Sequence, residues 1–252
     1  MTWRHLFLSP HFDDVVLSCG GTIALLRDLG REVTIATVFA GDMPAGERSA
    51  FGERHVHLWG DEAEPLEVRR AEDESVRRVL DVHVWHGQYP DAPFRRHPQE
   101  GRWLYTSDWA LFRLPDPSEG DVPQRIAGEV SALLDEHTRV YVPLGLGNHV
   151  DHVLLSMAGH ILARSGVDVT WYEDYPYAER DSRVQRLEQQ GWWPALVPLS
   201  QTHVEAKLQA ILCYQSQIPS LFGTERHLRR RIIDYMLTVS GRGYPAERFW
   251  RQ

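Results

Sequence analysis

Lysine is almost missing from this chain: Lys207 stands alone among 27 basic residues in 252. Thirty-five acidic residues outweigh them and set a formal charge of −8. With no basic excess to release counterions from a phosphate backbone, a nucleic-acid surface is excluded. The arginine preference itself reads as genomic base bias. Cysteine is scarce as well. Cys19 and Cys213 are far apart and form no CxxC pattern, which points to free, buried thiols in a reducing cytosol. Long apolar runs are also lacking. None reaches the ~18 residues of a membrane span, and the N-terminus has neither the basic start nor the cleavage site of a signal peptide. The glycine patterns GxGxxG and GxxxxGK[ST] are absent, so Gly20-Gly21 reads as close packing of a helix, not as phosphate binding. The expectation is a soluble, cytoplasmic protein with a small-molecule substrate and no nucleic-acid or membrane partner. Assembly into a homo-oligomer stays open.

What is present fits one α/β domain over residues 1–252. The apolar and charged shares, 42% and 25%, are those of a globular protein. Trp3 to Leu8 reads as a buried strand, Gly20 to Gly30 as a helix closed by glycine, and Glu32 to Phe39 as a β-branched strand. That is a βαβ unit with a right-handed crossover. Residues 41–65 read as a long loop, Glu67 to Leu80 as an amphipathic helix and Val82 to Trp85 as a third strand. Residues 87–120 are irregular. Beyond them come a helix at 122–136, a strand at 139–144, a helix at 152–164 and a strand at Val167 to Tyr172. Helices follow at His203 to Ser216 and Glu225 to Leu237, with His203 and Lys207 expected on a helix surface. The alternation gives a doubly wound, Rossmann-like, mostly parallel sheet with helices on both faces.

Two polar clusters sit where such a fold binds ligands, at the carboxyl ends of strands. Ser9-Pro10-His11-Phe12-Asp13-Asp14 follows the first strand. Gly147-Asn148-His149-Val150-Asp151-His152 follows the strand at 139–144. Imidazoles and adjacent carboxylates are costly to desolvate, and packing does not need them there. His149 and His152 can share a helix face, and His11 and Asp14 have the same spacing in a turn. A lone HxxH is usually surface decoration, and a lone pair of aspartates after a strand is usually a helix cap. Joined after two strands, the clusters point to a metal site. Catalytic zinc keeps about three protein ligands and one position for water, which leaves donors here for proton transfer and oxyanion stabilisation.

The PHxDD stretch paired with HxDH resembles the LmbE-like (PIG-L) N-deacetylases. Arg69-Arg70-Ala71-Glu72 looks like that family's R-x-x-E helix, and Lys207 through Tyr214-Gln215-Ser216-Gln217 like its late K…Y-x-SQ segment, so the likeness spans most of residues 3–217. The family removes acetyl from N-acetylglucosamine in glycosylphosphatidylinositol, mycothiol and bacillithiol biosynthesis, and some members act on glycopeptide antibiotics. The resemblance implies a metal, one Zn²⁺ per chain with Fe²⁺ as the alternative, held by His11, Asp14 and His152. It implies Asp13 as general base on metal-bound water and His149 as a protonated partner of the tetrahedral intermediate. Asp151 would hold the His149 tautomer.

Two positions depart from the family pattern. Phe12 stands where many members carry proline or alanine. Gly147 stands where some carry an oxyanion tyrosine, a role that Tyr175 or Tyr177 could take instead. Arg69 and Asp91 would line a polyol pocket, and Tyr175, just past a strand end, would touch substrate. Tyr89, Trp103, Tyr105 and Trp109 offer stacking faces for a sugar. The expected reaction is hydrolysis of an N-acetyl group on an N-acetylglucosamine-type sugar or conjugate. The alternatives are an amidase for a longer-acyl or non-sugar amide, or a non-catalytic carbohydrate-binding relic.

Overall fold

Residues 4–59 and 64–252 are described in a computed structural model of the chain. Trp3, at the start of the first expected strand, lies outside them. The strands are β1 (Arg4–Ser9), β2 (Glu32–Thr37), β3 (His83–His86), β4 (Thr138–Pro143), β5 (Val169–Tyr172), β6 (Trp193–Pro198) and β7 (Ala246–Arg251). They form one sheet in the order β3-β2-β1-β4-β5-β7-β6. The first five named in that order run parallel, and β7 and β6 add an antiparallel edge.

The helices are α1 (Asp14–Asp28), α2 (Ala50–Leu58), α3 (Pro65–Leu80), α4 (Asp108–Leu111) and α5 (Val122–Ser131), then α6 (Val150–Arg164), α7 (Gln201–Ile211), α8 (Ile218–Leu221) and α9 (Glu225–Ser240). Alternate strand residues supply two cores. Phe7, Ile35, Tyr141 and Tyr172 face α1, α3, α7 and α9, while Leu8, Ala36, Val142 and Trp171 face α5 and α6. Helices therefore cover both faces.

From β1 the chain crosses through α1 to β2 on one side, while β4 pairs with the other side of β1. The carboxyl ends of β1 and β4 thus flank a topological switch point, where open α/β sheets form their ligand crevice. Both polar clusters leave the sheet there.

Several expectations change. The long loop contains α2, capped by Ser49, whose hydroxyl accepts the Gly52 N–H at 2.9 Å. Its sequence shows no apolar period because, along α2, only Phe51 and Gly52 are buried. Residues 60–63 of that segment lie outside the described residues. The first helix starts at Asp14, six residues before the glycine pair, so the DD of the motif opens it. Strands β6 and β7 were hidden by composition. Pro194 and Pro198 make β6 look like loop, yet proline is tolerated on an edge strand, and Glu247 interrupts the apolar pattern of β7.

Lys207 is not a surface residue. It is only 1% exposed, and its Nζ donates to Glu247 Oε1 at 2.7 Å. Glu247 also accepts the N–H groups of Gly21 and Thr22, at 3.0 and 2.7 Å. A Cβ on Gly21 would lie 2.4 Å from Leu199, and one on Gly20 would lie 3.0 Å from Lys207. The glycine pair therefore admits α7 and the β6 end against α1, and the ion pair pins β7 to both. Removing one partner of a buried pair leaves a charge without compensation. Lys207→Met should cost about 3 kcal/mol or more of unfolding free energy in urea titrations. Lys207→Met combined with Glu247→Gln should recover much of that loss.

Candidate metal centre

At the end of β1, Ser9 Oγ accepts the Val15 N–H at 3.0 Å and anchors the turn into α1. Inside that turn the His11 N–H donates to Asp14 Oδ2 at 2.9 Å. Asp13 occupies the N-cap position of α1, but its side chain caps nothing. Its Oδ1 instead accepts from Arg69 Nη2 at 3.0 Å. On the β4 side the chain coils tightly through Gly145, Gly147 and Asn148, all at positive φ. His149 then caps α6, its Nδ1 accepting the Asp151 N–H at 3.3 Å, and His152 falls in the first helical turn.

These turns bring the two clusters together. Asp14 Oδ2 lies 3.0 Å from His11 Nδ1 and 3.2 Å from His152 Nε2. The outer nitrogen of each ring meets a buried carboxylate: His11 Nε2 reaches Asp151 at 3.0 Å, and His152 Nδ1 reaches Asp174 at 2.7 Å. A carboxylate on the outer nitrogen fixes tautomer and ring angle and leaves the inner nitrogen with a lone pair, as around metal-bound histidines. His152 Nε2 is buried, and its 3.2 Å approach to Asp14 Oδ2 lacks hydrogen-bond geometry. Among the described residues, one donor atom each from His11, Asp14 and His152 lies within 4.8 Å of the others. Two imidazole nitrogens and one carboxylate converging in this way fit a divalent cation.

Burial sets the electrostatics. It disfavours charge on Asp14, yet His152 and His11 outweigh it and hold that carboxyl well below its usual range. It also opposes charge on His152, but Asp14 and Asp174 push that imidazole up to about 9. Asp13 goes the other way: burial raises its pKa, and Arg69 offsets only part of the rise. His149 is pushed down to about 3, mainly by burial. Burial thus favours the neutral form of a ring expected to be protonated, and in that form, with Nδ1 accepting from the Asp151 N–H, the proton resides on Nε2.

The structure reassigns several expected roles. The Asp151 side chain does not hold His149. Its carboxylate takes Arg95 Nη1 at 2.5 Å, the Ala92 N–H at 3.1 Å and His11 Nε2, so it orients His11. Arg69 is buried, its guanidinium over the rings of Phe12 and Trp59 and bonded to Asp13. Asp91 Oδ1 lies 3.5 Å from His11 Nε2. Both lie beside the His–Asp–His group.

The tyrosines are corrected too. Tyr175 is fully buried, stacked on Phe222 and packed against Tyr235, so it is a core residue and no substrate contact. Tyr177 is the tyrosine that faces the site, its ring edge-on to His152 with centroids 5.3 Å apart. A Cβ at Gly147 would stand 2.5 Å from that ring. Glycine occupies position 147 because Tyr177, arriving from beyond β5, covers it.

In the irregular segment, Tyr105 is buried beneath Arg95, Tyr89 is tied to Glu129, and Trp103 lies under Arg96. Trp109 is exposed beside Arg113. Phe112, unremarked in the sequence, stands edge-on to both His149 and Tyr177. An open cleft lined by Gly147, Tyr177, Arg180, Asp181 and Arg231 begins beside them. Sequence reasoning also missed Arg95 and the role of Asp174. Only the strand-end position of Asp174 could have signalled it.

A largely buried His–Asp–His group at the switch point of a doubly wound sheet is an arrangement suited to a metal-dependent hydrolase. The family follows from comparison. The family model for GlcNAc-PI de-N-acetylase (PIG-L) matches residues 6–163, and the chain belongs to that family. It is 28% identical to a 2'-N-acetylparomamine deacetylase of Niallia circulans, over 98% of this chain and 90% of that protein. It is 33% identical to the 2'-N-acetylparomamine deacetylase of Streptomyces fradiae, over 90% of this chain and 78% of that one. Among solved structures, the zinc-inhibited form of teicoplanin deacetylase Orf2 superposes with a TM-score of 0.83 at 27% identity, covering 98% and 97% of the two chains.

Metal analysis checks the ligand set. The wild-type protein should carry one divalent ion per chain, and His152→Ala should lose nearly all of it. Arg95→Met, which frees Asp151 from its clamp, should weaken metal affinity about 10- to 100-fold, the usual span for residues that orient a ligand. Chelator competition measures it.

Proposed function

We propose that this chain removes the N-acetyl group from an N-acetylglucosamine-type sugar conjugate, with a zinc ion held by His11, Asp14 and His152. The observation that carries the reading is the opposed pair of carboxylate–imidazole contacts, Asp151 to His11 and Asp174 to His152, which turn both inner nitrogens toward Asp14. Zinc, when bound, would polarise the amide carbonyl and acidify water.

The remaining chemistry belongs to side chains. Asp13, kept basic by burial and aimed by Arg69, accepts a proton from the attacking water. The water oxygen bonds to the carbonyl carbon, and the neutral His149 donates its Nε2–H to the carbonyl oxygen as negative charge develops there. When the C–N bond breaks, Asp13 returns the proton to the nitrogen. Water and amide become acetic acid and an amine; the second water proton stays on the acid until it ionises, leaving acetate and the protonated amine. Tyr177 and Phe112 flank His149 and His152 and offer apolar faces to a sugar ring.

Relatives named for acetylparomamine and teicoplanin support an amino sugar within a larger conjugate as the substrate. Two free cysteines, one buried, suit a reducing cytosol. No helix among the described residues is long and apolar enough to cross a membrane.

A screen of N-acetyl sugars and their conjugates for amine release, with zinc supplied, tests the reading. Asp13→Asn should keep its metal and lose about 10²–10⁴-fold in kcat; near-normal turnover by a metal-loaded variant would refute the base role. Arg69→Ala should reduce kcat on free N-acetylglucosamine and on an elaborated glucosaminide alike, because its partner is the base. A loss confined to the elaborated substrate would return Arg69 to a distal pocket.

A further inference from the structure

Three imidazoles surround the reacting centre, and they are not held alike. His11 and His152 each meet a buried carboxylate, Asp151 at 3.0 Å and Asp174 at 2.7 Å. Among the described residues, the His149 ring has one hydrogen bond, its Nδ1 accepting the Asp151 N–H at a long 3.3 Å. A contact of that length holds a ring weakly. The aim of His149 must come from the backbone on either side of it. After it, α6 begins, and the His149 carbonyl accepts the Val153 N–H at 3.0 Å. Before it lies the coil at 145–148, where Gly145, Gly147 and Asn148 all have positive φ.

That coil joins no strand ladder, and its polar groups are gripped from another segment. The Leu146 N–H donates to Asp174 Oδ2 at 3.1 Å, and the Gly147 N–H to Asp181 Oδ2 at 3.0 Å. Arg183 Nη2 donates to the Gly145 carbonyl at 2.9 Å. The same guanidinium is bound to Asp181, with Nη2 2.6 Å and Nε 2.9 Å from Oδ2. Asp181 Oδ1 accepts the Arg183 backbone N–H at 2.9 Å, which closes the pair into a rigid unit. Three consecutive residues are thus clamped by side chains from the stretch that follows β5. A left-handed residue other than glycine, here Asn148, costs about 1–3 kcal/mol and persists only where its surroundings over-determine it. Asp181 and Arg183 supply that constraint, two and four residues before His149.

We infer that Asp181 and Arg183 form a latch that positions His149: the pair fixes the turn from β4 into α6 and so aims the ring's Nε2–H at the carbonyl oxygen of the substrate. The inference rests on the role given to His149 above and deepens it. A hydrogen bond to that oxygen counts most as charge develops on it, so a misaimed donor lowers kcat and leaves KM nearly alone. The metal is spared, since His152 is held by Asp174 and by α6 itself. Asp181 also lines the open cleft. If its duty there were to touch substrate, its loss would act on KM instead.

The test uses full-length, zinc-loaded protein and N-acetylglucosamine, with the latch altered alone and together with His149→Ala. Asp181→Ala and Arg183→Met should each lower kcat about 10- to 100-fold, the span expected for a misplaced donor, with KM and zinc content within about twofold of wild type. Asp181→Asn keeps an oxygen for the Gly147 N–H and should retain most of the rate. In a His149→Ala background the same substitutions should cost nothing further, whereas independent sites would add. Proton–nitrogen correlation spectra of the imidazole rings give a readout without substrate, the His149 signals being assigned by their loss in His149→Ala. Both latch variants should turn the single Nε2–H tautomer of His149 into a mixture and leave the His152 signals in place. Melting temperatures check folding, and Arg183→Met, at the more exposed side chain, carries the test if Asp181→Ala does not fold. Additive losses, an unchanged His149 spectrum, or an effect on KM or zinc content in place of kcat overturns the latch and leaves the deacetylase reading standing. Wild-type turnover by His149→Ala overturns the role of His149 and the latch with it. If the wild type releases no amine from N-acetylglucosamine, the deacetylase reading fails on that substrate, and the ring spectra decide the latch by themselves.

Discussion

A carboxylate without access to water, shared by three donors, ties this molecule together. Asp151 takes the guanidinium of Arg95, the backbone N–H of Ala92 and the outer nitrogen of His11. The cost of burying that charge is met only if all three donors stay in place. Arg95 in turn is held by Glu119, which accepts the hydroxyl of Tyr105. The chain from 91 to 119, irregular in its backbone, is thus cross-linked by charge to the first turn of α6 and to the β1 loop. The imidazole at its end is aimed as a consequence.

The same logic, used twice, explains why the centre is compact. Asp174 performs for His152 what Asp151 performs for His11, and it approaches from the end of β5, the next strand along. Strand ends β1, β4 and β5 therefore each contribute one part: a carboxylate–imidazole turn, an imidazole pair at the start of α6, and an orienting carboxylate. The parallel sheet supplies their spacing, and α1 and α6 begin where the ligand atoms are needed. The capping duty that Asp13 abandons is the local sacrifice. Its carboxylate is left for Arg69 and for chemistry.

Much of this architecture was legible in the residues. The β-branched runs and the βαβ spacing gave the parallel sheet, and the two motifs marked the crevice because strand ends in such sheets converge there. The antiparallel edge was not legible. Proline in β6 and glutamate in β7 mimic loop, and only the partners Trp193↔Arg251 and Ala195↔Phe249 reveal the ladder. The site was read in its atoms but not in its pairings. Spacing places Asp151 beside His149; it does not say that the carboxylate turns to His11 once the helix starts at Val150. Tyr175 and Tyr177 are two residues apart with opposite fates, one in the core and one over Gly147, and nothing in the local composition distinguishes them. Long-range partners such as Arg95 and Lys207 carry no periodic signal at all.

The burial of Lys207 has a practical side. The sole lysine lies locked against Glu247, so the folded chain presents no lysine amine to solvent. Reagents that label primary amines find little on this protein beyond its α-amino terminus. A reaction that liberates an amine can then be followed with such a dye in the presence of concentrated enzyme, against almost no protein background. By the same token, coupling to an amine-reactive surface would attach the folded molecule through one end only, in a single orientation, and a burst of new labelling would report unfolding.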